Sequence, residues 1–89
     1  MSDIWKKVLE ELNPETSQFR ILVHLAFKGS SFPSQIAEET GISPGTVRPA
    51  LRALYSKKFV TQERDRSYKS RIAFADIISD IYANYLSKD

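Results

Sequence analysis

The stretch that most restricts the fold runs from Pro33 to Leu54, PSQIAEETGISPGTVRPALRAL. Ile36 and Ala37 fall on the inward side of a short helix that opens at Pro33, and the small Ala37 lets a second helix cross closely. Gly41 suits the left-handed residue that ends a helix in a tight turn. Ile42 would plug that turn into the core, while Ser43 can cap a second helix whose first position takes Pro44. Along this second helix, expected to reach about Lys57, Val47, Ala50, Leu51 and Leu54 recur at spacings of three and four and form one inward face. Two short helices joined by a tight glycine-containing turn form a helix-turn-helix, here residues 33–57.

With 89 residues, the chain has room for a single domain, 1–89. A first helix is expected from Asp3 to Leu12, with Ile4, Val8 and Leu12 at four-residue spacing and Trp5 and Leu9 beside them. Asn13-Pro14-Glu15 reads as a stop and restart, with Asn as cap and Pro in the first helical position. The helix that follows, ending before Gly29, is apolar nearly all round and is expected at the centre of the core. Ser30-Ser31-Phe32 is a short extended link. After the helix-turn-helix, residues 59–74 read as a β-hairpin turning at Asp65 to Tyr68. A last helix, 75–87, shows Ile77, Ile78, Ile81, Tyr82, Tyr85 and Leu86 on one broad face. The expected class is mainly α with a small β-hairpin: a winged helix-turn-helix with extra N- and C-terminal helices.

The spacing of Ala37, Gly41 and Val47 resembles that of the helix-turn-helix DNA-binding superfamily. The run from Thr46 to Leu54 is similar to the recognition helix of GntR-type regulators, and the hairpin resembles the wing of MarR-type domains. The likeness spans about Phe19 to Phe74. It implies that Arg48 and Arg52 point at DNA, with Ser43 and Thr46 near backbone or bases. Helix arithmetic agrees, because burying Val47, Ala50, Leu51 and Leu54 turns Gly45, Arg48, Pro49 and Arg52 outward. Arginine there can bond guanine O6 and N7, or a phosphate. Pro49 departs from the pattern, since inside a helix it removes a hydrogen bond and should kink the axis.

Charge is unevenly placed. Ser43 to Ile72 holds eight basic residues against two acidic, whereas the rest of the chain holds five basic against nine acidic. Such asymmetry suits a polyanionic partner with a defined docking face. Arg64, Arg66, Lys69 and Arg71 gather around the hairpin turn, where they would neutralise phosphates or enter the minor groove, with Tyr68 at the tip. Ser34 and Gln35 open the third helix, where they can bond phosphates or simply cap it. On the terminal helices, Ile4, Trp5, Val8, Ile77, Ile78, Ile81, Tyr82 and Tyr85 offer apolar surface for a homodimer, or else the two helices cover each other.

There is no cysteine and one histidine, His24, which leaves no plausible zinc site or nucleophile–histidine–acid triad. No phosphate-binding glycine loop occurs. No cofactor, metal, small-molecule effector or enzymatic activity is expected. The start of the chain lacks a signal-peptide stretch and no segment is long and apolar enough for a bilayer, so a cytoplasmic protein is expected. The function these features favour is sequence-specific binding of double-stranded DNA as a small transcriptional regulator. The competing reading is a protein-interaction module in a transcription, replication or membrane-remodelling assembly; RNA binding is weakened by the lack of an aromatic stacking platform.

Overall fold

The computed structural model describes residues 3–86, with helices α1 (Asp3–Glu11), α2 (Ser17–Lys28), α3 (Pro33–Thr40), α4 (Pro44–Ser56) and α5 (Phe74–Ile81). Strands β1 (Val60–Gln62) and β2 (Tyr68–Ser70) lie between α4 and α5, and a π-helical turn (Tyr82–Leu86) extends α5. The expected end of the last helix at Ser87 lies outside the described residues.

Local chemistry explains most boundaries. The Thr16 side chain accepts the Phe19 N–H at 3.3 Å and caps α2. This corrects the restart expected at Asn13: its side chain accepts the Glu15 N–H at 2.9 Å and builds a turn three residues ahead of the helix. Asn and Pro suit a turn as well as a cap, so that choice was open in the sequence. Gly41 ends α3 with φ 76°, and its N–H bonds the Ala37 carbonyl at 3.0 Å, as the turn between α3 and α4 requires. Ser43 precedes α4 but makes no side-chain capping bond; its carbonyl accepts from Thr46 and Val47 instead. The α4 helix runs unbroken through Pro49. Pro49 has no N–H to offer the Gly45 carbonyl, one turn back.

The core gathers on α2. Ile21, Leu22 and Leu25 are buried against Val47, Leu51 and Leu54 of α4, Ile36 of α3 and Phe59 at the start of the hairpin. The hairpin is antiparallel with Val60 opposite Ser70 and Gln62 opposite Tyr68. The link between α2 and α3 adds a third member to it. Ser31 exchanges backbone hydrogen bonds with Tyr68 at 3.0 and 2.9 Å, so β2 is held from both sides.

The terminal helices depart from the expected dimer surface. Trp5 (3% exposed), Val8 (0%) and Ile77 (5%) belong to the core of the single chain, and Trp5 stacks at a tilt on Phe19 with ring centroids 5.9 Å apart. Ile4 is partly buried against the same cluster. Amphipathic periodicity shows which face is apolar and not what covers it, and here the core of the single chain takes in Trp5, Val8 and Leu12. Ile78, Ile81, Tyr82 and Tyr85 remain exposed.

Truncating Trp5 to Ala should therefore cost about 3–5 kcal/mol of unfolding free energy, measured by urea denaturation. A loss below about 1 kcal/mol, the range of ordinary surface substitutions, would contradict the core placement.

Candidate nucleic-acid interface

With its buried side fixed on α2, α4 turns Gly45, Thr46, Arg48, Pro49 and Arg52 to solvent, and Ser43 is exposed just ahead of them. A cleft of about 530 Å³ separates this end of α4 from the hairpin. Its walls are Phe32, Pro33 and Ser34 from the start of α3, Arg48 from α4, and Gln62, Asp65, Arg66 and Tyr68 from the hairpin. Arg48 also borders a neighbouring hollow with Ser34, Glu38 and Pro44, where α3 and α4 meet.

The turn of the wing is held by its own hydrogen bonds. Asp65 Oδ1 accepts from the Ser67 hydroxyl at 2.6 Å and from the Ser67 N–H at 2.9 Å. The Arg66 N–H donates to the Glu63 carbonyl at 2.9 Å, and the Glu63 N–H to the Ser67 carbonyl at 2.8 Å. These bonds keep Arg66 at φ 75°, a conformation unfavourable for a residue with a β-carbon. They also hold its position beside the cleft. The Ser67 hydroxyl bond, followed by the Ser67 backbone bond, draws the Asp65 carboxyl below its usual range.

The four hairpin cations do not share one place. Arg64 and Arg66 lie exposed in the turn, and Arg66 lines the cleft. Lys69 lies on the other side of the hairpin, bordering a hollow with Leu25 and Gly29 at the end of α2. Arg71 sits at the base, where its Nη1 donates to the Lys58 carbonyl at 2.9 Å and secures the turn between α4 and β1. That turn needs securing, because Lys58 has φ 67°. Among the α3 residues, Ser34 is exposed beside Arg48, while Gln35 Oε1 accepts the Phe32 N–H at 2.9 Å and caps its own helix. Lys69, Arg71 and Gln35 thus do not line the cleft that Arg48 and Arg66 share, Arg71 and Gln35 being tied to the Lys58 carbonyl and the Phe32 N–H.

Sequence reasoning passed over Gln62, Asp65 and Phe32 in the cleft. Gln62 pairs directly with Tyr68 and so shares its face, a register that a turn without an Asn-Gly or Asp-Gly signature leaves open in the sequence. Glu39 Oε1 lies 2.8 Å from His24 Nε2 and ties α3 to α2.

A helix-turn-helix followed by a two-stranded wing, with a third bridge from the α2–α3 link, defines a winged-helix domain. Residues 4–77 match the family described as TFIIE alpha subunit, and the chain belongs to that family, a family of winged-helix transcription factors rather than enzymes. The protein is therefore a transcription-related winged-helix domain. The match lends no support to a closer likeness to GntR- or MarR-type regulators. No curated protein and no solved structure matches the chain. No helix among the described residues is long and apolar enough to cross a membrane.

Because the folded carboxyl of Asp65 is more acidic than in an unfolded chain, its contribution to the wing is complete above about pH 3.8 and fades as pH falls through the lowered value. Exchange protection of the Ser67 amide should fall over that acid range in the wild type. In Asp65→Ala it should already be low at neutral pH and show no such transition.

Proposed function

We propose that the domain binds double-stranded DNA in a sequence-specific manner as a transcriptional regulator. The N-terminal half of α4 enters the major groove, and the wing turn rests on the backbone or in the minor groove. The observation that carries this reading is that Arg48 and Arg66, from two separate elements, line one cleft with Ser34 and Tyr68. Two cations lining one exposed cleft suit an anion that spans both, and a duplex presents phosphates on either side of the groove that admits a helix. Arg52, one turn further along α4, extends the same exposed face. The wing's internal hydrogen bonds support the reading too, because a pre-organised contact loses less entropy on binding.

A second reading, a protein-interaction module within a transcription assembly, is favoured by the word "subunit" in the family's description and by the exposed apolar face of α5. Charge separates the two. A protein contact through α5 has no need of the basic segment, whereas DNA binding depends on it.

Fluorescence anisotropy with a labelled duplex should show affinity falling steeply between about 50 and 200 mM salt. Arg48→Ala should weaken binding by about 1–3 kcal/mol, and Arg66→Ala should reduce the slope of log affinity against log salt by about 1. Lys69→Ala, on the other side of the hairpin, should have the smaller effect. Affinity that is independent of salt, or unchanged by Arg48→Ala, would transfer the function to the second reading.

A further inference from the structure

The family match ends at Ile77, where α5 leaves the body of the domain. Beyond that point an apolar seam continues. Phe74, half-buried against Phe27 with ring centroids 5.2 Å apart, is followed by Ile78, Ile81 and Tyr85. Ile78 is 48% exposed, Ile81 41%, Tyr85 75% and Phe27 66%, with Tyr82 alongside. The geometry points to a second copy of this chain as the occupant of this seam, paired antiparallel through α5 about a two-fold axis between Ser79 and Asp80.

Three observations select that occupant. First, the seam is spaced four, three and four residues apart, so it reads the same from either end. A two-fold interface requires this, since each residue meets its counterpart reciprocally. Ile78 meets the partner's Ile81 beside the axis, and Phe74 lies opposite the partner's Tyr85, which the π-helical turn beyond α5 carries. The pairing sets Asp76 opposite the partner's Ala83 and Asp80 opposite the partner's Ser79, so no like charges face each other directly.

Second, the exposed parts of these side chains and Phe27 amount to roughly 600 Å² per protomer. That is near the ~800 Å² each partner gives to a standard interface and at the upper end of what a monomer leaves bare in one patch. Third, residues 74–86 carry two acids and no base. That composition disfavours an anionic lipid surface, which a basic amphipathic helix would suit. The inference is independent of DNA binding, and its test contains no DNA.

Sedimentation equilibrium of the full chain, from about 1 to about 200 µM, should show a monomer–dimer equilibrium. I78E and I81K should each raise the dimer dissociation constant at least about tenfold, since each leaves an unpaired charge in the seam. Far-UV circular dichroism should stay unchanged, because both side chains lie outside the core. The double variant I78E/I81K places opposite charges across both 78–81 contacts and should recover the dimer that each single variant loses. Y85E, further from the core, repeats the disruption should a variant at 78 or 81 fold poorly. A wild-type chain that stays monomeric throughout, a dimer indifferent to I78E and Y85E, or a double variant as weak as the singles would each overturn the antiparallel seam.

Discussion

Burial of one side of α4 against α2 is the constraint on which the rest of the structure depends. Val47, Leu51 and Leu54 are sealed from water, and each contributes about 1.5–3 kcal/mol through removal of its apolar surface. The contact also fixes the rotation of α4 about its own axis. Successive residues turn by about 100°, so fixing those three side chains leaves Arg48 and Arg52 no direction but outward. Gly41 fixes the approach of the helix, because its left-handed φ turns the chain from α3 into α4 within three residues.

The wing depends on the same core at one remove. Phe59 and Val60 are buried just after α4 and anchor one edge of the hairpin, while the Ser31 bridge anchors β2 to the link before α3. Arg66 is carried by a turn tied to both helices of the helix-turn-helix, and a rigid framework brings it to Arg48. The Arg71 bond to Lys58 and the left-handed backbone there keep α4 and β1 in register. One basic residue of the hairpin thus has a structural task while its neighbour Arg66 faces the cleft.

Features set by local chemistry were legible in the sequence. Gly41, the inward spacing from Val47 to Leu54 and the β-forming run after Lys58 each allow few structures, and the order of elements follows from them. Features set by what lies across a contact were not. The apolar stripe of α1 is the same whether a second chain or the chain's own core covers it, and Trp5 resolves that only once it is seen buried beside Phe19. Asn13 and Thr16 are both able to cap α2, and the turn at Pro14 decides between them. Within the candidate site, Arg48 was legible because helix periodicity is strict. The sorting of Arg66 from Lys69 and Arg71 depends on strand register and on the length of a turn lacking an Asn-Gly or Asp-Gly signature.

The central claim is that the exposed end of α4 and the turn of the wing form a single DNA-contacting surface. Amide chemical-shift mapping during titration with a short duplex tests it most directly. The account predicts the largest changes at Ser34, from Gly45 to Arg52 and from Arg64 to Tyr68, appearing together and weakening as salt is added. Changes confined to α2 and α5, or none on α4, would contradict it.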